Sequence, residues 1–236
     1  MNIFISELVG TAMLILLGNG VVANVVLNKT KGNNSGWIVI TFGWAMAVFV
    51  GVFISSKASG AHLNPAVTVA LAYLEKIEPA VIADYIGGQM LGAMLGSLLV
   101  WLSYKQHYDQ TEDTAAKLAT FSTGPAIRSA GHNLITEIIG TFVLIFAVLF
   151  IIAPASSLGA LDALPVALIV LGIGISLGGP TGYAINPARD LGPRIMHAIL
   201  PIGKKGSSDW GYSWIPVVGP LIGALIAAVI FKHYMM

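Results

Sequence analysis

Apolar residues gather along this chain in long unbroken runs, with the polar residues pushed into the gaps between them. A membrane-spanning helix needs roughly 20 predominantly apolar residues to cross about 30 Å of hydrocarbon. Six runs reach that length, at 3–27, 37–56, 81–104, 133–153, 158–178 and 212–233. An even number of spans puts both termini on the same side. Two further apolar segments, 64–73 and 186–199, are too short to span. Ten helical residues cover about 15 Å, half the bilayer. Taken alone, such segments suit interfacial or loop helices. Their Gly- and Pro-rich lead-ins favour re-entrant loops lining a cavity, where irregular backbone is tolerated at membrane depth.

Composition agrees with that pattern. Of the 236 residues, 56% are hydrophobic and only 10% charged, against about 25% charged in an ordinary soluble domain. A net charge of +1 gives no reason to expect a nucleic-acid partner. There are no cysteines, hence no disulfides and no thiolate-bound metal. The first apolar run has no basic residue before it and is too long for a cleavable signal, so it is expected to be retained as a span. The longest polar stretch, 105–132, is expected to form an external loop, with Asp109, Glu112 and Asp113 on a solvated face.

The chain repeats itself. Glu7-Leu8-Val9-Gly10-Thr11 matches Glu137-Ile138-Ile139-Gly140-Thr141. Ser59-Gly60-Ala61-His62-Leu63-Asn64-Pro65-Ala66 matches Thr181-Gly182-Tyr183-Ala184-Ile185-Asn186-Pro187-Ala188. Gly88-Gln89-Met90-Leu91-Gly92-Ala93 matches Gly219-Pro220-Leu221-Ile222-Gly223-Ala224. The three matches fall in the same order in each half. With three spans per half, the second half must lie inverted, and inverted repeats with broken helices place the substrate path at their interface. One transmembrane domain over 1–236 follows, with repeats at about 1–104 and 133–236 joined by the loop at about 105–132. Small residues at helical spacing, Gly88, Gly92 and Gly96 and then Gly219 and Gly223, permit close helix approach.

Asn-Pro-Ala is a weak signal once. Here it opens a short helix twice, in corresponding places of a repeat, as Asn64-Pro65-Ala66 and Asn186-Pro187-Ala188. Pro suits a first helical turn, where no N–H is needed, and Asn suits the N-cap before it. The doubled motif, and the run Ser59-Gly60-Ala61-His62-Leu63-Asn64-Pro65-Ala66-Val67-Thr68, resemble the aquaporin, or major intrinsic protein, superfamily across essentially the whole chain. The resemblance implies an all-α membrane channel of six transmembrane helices and two re-entrant half-helices. Both asparagine amides would then point an N–H into the pore, and two helix N-termini would meet there in a positive potential that repels cations and protons. Carbonyls of Gly60, Ala61 and His62, and of Gly182, Tyr183 and Ala184, would form a ladder of acceptors. Neutral hydroxyl-bearing solutes would be compensated for lost water by that ladder, and ions would not.

In the family, four positions form the narrow outer constriction, and they fall on Trp44, Gly174, Tyr183 and Arg189. Water-selective members tend to carry Phe, His, a small residue and Arg; glycerol facilitators tend to carry Trp, Gly, Phe and Arg. Glycine at the second position is expected to widen the opening, Trp44 and Tyr183 to form an apolar corner, and Arg189 to donate to two solute hydroxyls. Tyr183 departs from the usual Phe and adds a hydroxyl. Asp190 directly after Arg189, Arg194, and Pro216-Val217 at the start of the last span also resemble the glycerol branch. Without the family register, Trp44 would suit an interfacial aromatic and Arg189 a snorkelling one. His62 suits either loop packing or pore contact. His107, His132, His197 and His233 lack metal-ligand spacing and are expected to be structural.

Glu7 and Glu137 lie inside spans at matched positions. An intramembrane carboxylate is a functional candidate, which keeps an ion-coupled transporter in view beside a water-selective channel. The resemblance implies instead that each braces a re-entrant loop. No nucleophile–base pair, phosphate-binding loop or metal cluster points to an enzyme or a cofactor. The implied permeants are glycerol and water, with dihydroxyacetone, urea, hydrogen peroxide and undissociated lactic acid as further small neutral solutes. The implied setting is the lipid of a bacterial plasma membrane, as a homotetramer with both termini cytoplasmic. Charge distribution opposes that orientation. It would leave Lys57, Lys76 and Lys232 inside and Lys29, Lys31, Lys105, Lys117, Arg128, Lys204 and Lys205 outside, against the usual positive-inside bias.

Overall fold

Along the middle of the long helices the side chains that face outward are apolar, and the polar ones turn inward. Leu91, Leu95, Ile135, Ile139 and Leu168 are exposed, whereas Glu7, Gln89, Asn64, Glu137 and Arg189 are buried. That inversion is what a hydrocarbon solvent demands, since every polar group at depth must find its partner within the protein.

The computed structural model describes residues 2–151 and 156–234. The helices run, in order, α1 Ile3–Val26, α2 Trp37–Ser59, α3 Pro65–Tyr73, α4 Ile82–Gln110, α5 Thr114–Ala119, α6 Ala130–Leu149, α7 Leu164–Leu177, α8 Pro187–Ile199 and α9 Ile215–Tyr234. Among the described residues, six helices are long and apolar enough to cross a membrane: α1, α2, α4, α6, α7 with its leading 3₁₀ turn, and α9. The half-helices α3 and α8 hold 9 and 13 residues. Element boundaries differ from the sequence expectation mainly at helix ends. Helix α2 continues to Ser59 and stops where Gly60, at φ 80°, closes it with an N–H bond to the Ser56 carbonyl. The expected span 133–153 ends as helix at Leu149, and Ala153 lies outside the described residues.

The polar stretch 105–132 is not a simple loop. Helix α4 carries on to Gln110, and α5 follows, capped by the Asp113 carboxylate, which accepts from the N–H groups of Ala115 and Ala116. Asp109, Glu112 and Asp113 are all exposed, as expected. The residues after them turn inward. Lys117, Thr120, Phe121 and Ser122 are almost fully buried. The Lys117 ammonium donates to the Gly203 carbonyl, and the hydroxyls of Tyr108 and Thr120 are bonded at 2.5 Å.

Packing follows the repeat. Helix α1 lies against α4 and α2, and its counterpart α6 lies against α9 and α7. Across the interface, α2 packs on α7, α4 on α8, and α3 on α9. Glycines bring α1 and α4 into backbone contact. A Cβ added at Gly88, Gly92 or Gly96 would stand 2.5, 2.4 or 2.5 Å from the carbonyl oxygen of Phe4, Leu8 or Ala12. In the second half, one added at Gly223 would stand 2.3 Å from the Ile138 carbonyl oxygen. Gly92→Val is therefore expected to destabilise the protein by about 1–3 kcal/mol through forced separation of α1 and α4. Gly20→Ala, where nothing lies within 4 Å, is expected to hold or raise stability. Thermal unfolding of the two variants in detergent checks the contrast.

Candidate functional site

The two half-helices meet N-terminus to N-terminus, and their asparagines hold the meeting together. Asn64 Oδ1 accepts from the Ala66 N–H at 2.8 Å, and Asn186 Oδ1 accepts from the N–H groups of Ala188 at 3.0 Å and Arg189 at 3.2 Å. These are ordinary N-caps. The amide nitrogens reach across the repeat. Asn64 Nδ2 donates to the Ile185 carbonyl and Asn186 Nδ2 to the Leu63 carbonyl, both at 2.8 Å. A side-chain amide has two N–H donors, so each asparagine keeps one for another partner.

The lead-ins to the half-helices are irregular backbone held by carboxylates. Glu7 accepts from the Ser59 hydroxyl at 2.6 Å, the N–H groups of His62 and Leu63 at 3.0 and 2.7 Å, and the Gln89 amide at 2.8 Å. Glu137 accepts from the Thr181 hydroxyl at 2.7 Å and the N–H groups of Ala184 and Ile185 at 3.0 and 2.9 Å. With their N–H groups turned to the carboxylates, these loops turn their carbonyls the other way. Left-handed residues at Gly60, Ala61 and Leu63, matched by Gly182, Tyr183 and Ile185, produce the alternation. Among the described residues, no protein donor reaches the carbonyls of Gly60, Ala61, His62, Gly182, Tyr183 or Ala184. All six residues line cavities. His62 is both packed and lining: its ring stacks on Tyr85 at 3.9 Å and its Nδ1 is bonded to the Thr68 hydroxyl.

Two cavities, about 480 and 350 Å³, enter from opposite ends and share the lining residues Trp44, Tyr183 and Arg189. These three form the neck. Trp44 is buried rather than lipid-facing, and the Arg189 guanidinium lies 4.1 Å from its ring centroid. Gly18 makes room for that indole, since a Cβ there would sit 2.3 Å from it. Gly174 is beside the neck but lines neither cavity. The space that glycine leaves is taken by Tyr183, whose hydroxyl would be 3.0 Å from a Cβ at Gly174. The expected widening is thus filled from the neighbouring position.

Comparison with known proteins agrees with this geometry. The family model described as "Major intrinsic protein" matches residues 1–231. The chain belongs to the major intrinsic protein family. It is 57% identical over 234 residues to the glycerol uptake facilitator protein of Streptococcus pneumoniae strain R6, covering 99% of this chain and 100% of that one. It is 49% identical to the glycerol uptake facilitator protein of Bacillus subtilis, covering 98% of this chain and 84% of that one. The X-ray structure of the aquaglyceroporin from Plasmodium falciparum superposes with a TM-score of 0.85 at 30% identity, covering 99% and 96% of the two chains. This major intrinsic protein is accordingly a multi-pass membrane channel and not an enzyme.

Several residues of this major intrinsic protein's site carry no signal in the sequence. Arg189 Nη1 donates to the Phe121 carbonyl at 3.3 Å, and Asn19 Nδ2 donates to the same oxygen. Phe121 belongs to the stretch expected as external loop. Its neighbour Thr123 is pinned by Asp190, which accepts from the Thr123 N–H and hydroxyl, both at 2.7 Å. Arg194 completes the unit. It pairs with Asp190 at 2.8 Å with both side chains fully buried, and donates to the carbonyls of Thr123 and Ser208. Asp190 and Arg194, branch markers in sequence, thus tie α8 to the outer wall that anchors Arg189. Nothing local announced Phe121 or Asn19, because a carbonyl is common to every residue and a buried Asn within an apolar run has many uses. Among the described residues, no group of His, Asp and Glu is placed to hold a metal ion. His197 instead bonds the Ser208 hydroxyl and His107 the Asn28 carbonyl.

Glu137→Gln turns one acceptor oxygen into a donor facing donors, so it is expected to cost about 1–3 kcal/mol. Glu7→Gln should cost a similar amount, since its carboxylate plays the same part in the other repeat. Loss of melting temperature in detergent, measured for each variant and for the pair, checks both.

Proposed function

We propose that this chain is a passive channel conducting glycerol and water and excluding ions and protons. The observation that carries the reading is the neck, where Trp44 and Tyr183 present aromatic surface and Arg189 presents a guanidinium with a single protein hydrogen bond among the described residues. A polyol can lay its carbons against the rings and offer its oxygens to the remaining N–H groups of the fork. Beyond the neck, the carbonyls of Gly60, Ala61, His62, Gly182, Tyr183 and Ala184 accept from its hydroxyls, and the second N–H groups of Asn64 and Asn186 donate at the centre. An ion finds no such compensation. The N-terminal ends of α3 and α8 add a positive potential against cations. The names of the relatives, glycerol uptake facilitators, favour the same solute.

Other small neutral molecules suit the same chemistry: dihydroxyacetone, urea, hydrogen peroxide and undissociated lactic acid. The whole chain acts as one channel domain of two inverted repeats in this proposal. It sits in the plasma membrane as a homotetramer with both termini cytoplasmic. One observation favours the second reading, a water-selective pore: Tyr183 occupies the room beside Gly174. The ion-coupled transporter draws no such support, because Glu7 and Glu137 are both engaged with loop donors.

Purified protein in liposomes decides between these. After a glycerol shock, light scattering should report re-swelling well above that of protein-free vesicles, with no dependence on a sodium or proton gradient. Fast water flow with glycerol excluded would establish the water-selective reading, and flux that needs a gradient would defeat both. In planar bilayers the protein is expected to show no ionic conductance.

A further inference from the structure

Trp37, at the start of α2, lies outside the neck yet touches two of the residues expected to form it. Its indole N–H donates to the Gly174 carbonyl at 3.0 Å. Its ring meets Tyr183 edge-on, with centroids 5.9 Å apart and planes at 81°. A tryptophan near a helix end in a membrane protein commonly turns its N–H to the lipid headgroups. This one turns it inward, onto a backbone carbonyl of α7, and lines the outer cavity beside Tyr183.

The tyrosine is gripped from the other side by glycines. A Cβ at Gly174 would stand 2.9 Å from Tyr183 Cζ, and one at Gly178 would stand 2.4 Å from Tyr183 Cδ1 and 2.8 Å from Trp37 Cζ2. The ring therefore lies in a slot floored by two residues without side chains and closed by Trp37. Hydrogen bonding does not hold it there, because the Tyr183 hydroxyl is buried with no partner among the described residues. The backbone offers little slack. Tyr183 sits at φ 38°, a left-handed value, and the next two N–H groups are committed to Glu137. Packing alone decides where the ring stands.

We infer that Trp37 is a positioning residue for the neck: it presses Tyr183 into the Gly174–Gly178 slot, and this clamp sets the width available to a solute. The inference rests on the reading of the neck as the solute filter. Gly174 then acts as the floor on which the tyrosine lies, and the neck widens or narrows with the ring. A ring released from Trp37 leaves the slot's outer edge open, and longer solutes gain more from that than short ones. A ring lifted by a methyl group at position 174 moves into the lumen.

The test compares wild type, Trp37→Ala, Trp37→Phe and Gly174→Ala in liposomes, with permeability to water, glycerol and the longer polyol erythritol measured for each. Wild-type glycerol flux tests the glycerol reading by itself. The clamp expects Trp37→Ala to raise the erythritol-to-glycerol ratio by about tenfold or more, the lower end of what one methylene is worth in a fitted site. Trp37→Phe keeps an edge for Tyr183 and should recover most of the wild-type discrimination, which a general loss of stability would not do. If the wild type carries water but no glycerol, the glycerol reading falls while the neck remains the filter, and the clamp then expects Trp37→Ala to admit glycerol. Water flux reports whether each variant is folded. A folded Trp37→Ala channel with its solute ratio within about twofold of wild type would overturn the inference. Should Trp37→Ala fail to conduct water, Gly174→Ala decides: a glycerol loss much greater than the water loss supports the clamp, and equal losses overturn it.

Discussion

The architecture depends on two hydrogen bonds that cross between the repeats, from Asn64 to the Ile185 carbonyl and from Asn186 to the Leu63 carbonyl. Each asparagine caps its own half-helix with its oxygen and fastens the other half's lead-in with its nitrogen. Two helix N-termini pointed at each other repel, and their first N–H groups need acceptors that hydrocarbon cannot supply. The capping oxygens meet the second need locally. The crossed nitrogens oppose the first, since each partial positive end is tied to a carbonyl belonging to its rival. Neither half closes this junction alone, so the midplane geometry belongs to the folded pair.

Everything along the proposed path then follows from where backbone groups are already engaged. Glu7 and Glu137 take the loop N–H groups, and the left-handed residues between them swing the carbonyls of the same loops toward the cavities. An acidic side chain buried in a membrane usually invites a search for an ion or a proton. Here the two carboxylates serve to leave a row of acceptors that no protein donor reaches among the described residues. The apolar lining opposite, Leu14, Val48, Leu144 and Val170 among it, offers a solute's carbons a surface of their own kind.

At the end of the molecule that carries α5, charge is put to structural use. Lys29 donates to Gln110, Lys105 pairs with Asp109, Lys117 donates to Gly203, Arg128 pairs with Asp209, and Lys205 donates to the carbonyls of Ala198 and Leu200. Five of the cations that gather at that end have a structural role in the folded state. Lys29, Lys117, Arg128 and Lys205 fasten loop segments there, Lys105 and Asp109 pair within α4, and Asp190 with Arg194 fastens Thr123 to α8.

Much of this was legible before any coordinates. Run length separated spanning helices from half-helices, because hydrocarbon thickness sets one and not the other. The doubled Asn-Pro-Ala motif located both caps, because capping and first-turn proline are local chemistry. The matched glycines marked close helix contacts, and Glu7 and Glu137 were marked by the cost of a carboxylate at that depth. What only the tertiary structure decided depends on residues far apart in the chain meeting in space. The stretch expected as an external loop carries the carbonyl that holds Arg189, since a backbone oxygen has no sequence signature. Gly174 was expected to open the neck, yet Tyr183 fills its place, because the volume at a glycine belongs to whichever neighbour packs there. Trp37 meets Tyr183 across 146 positions of sequence, and no local pattern records a contact between the start of one helix and the lead-in to another.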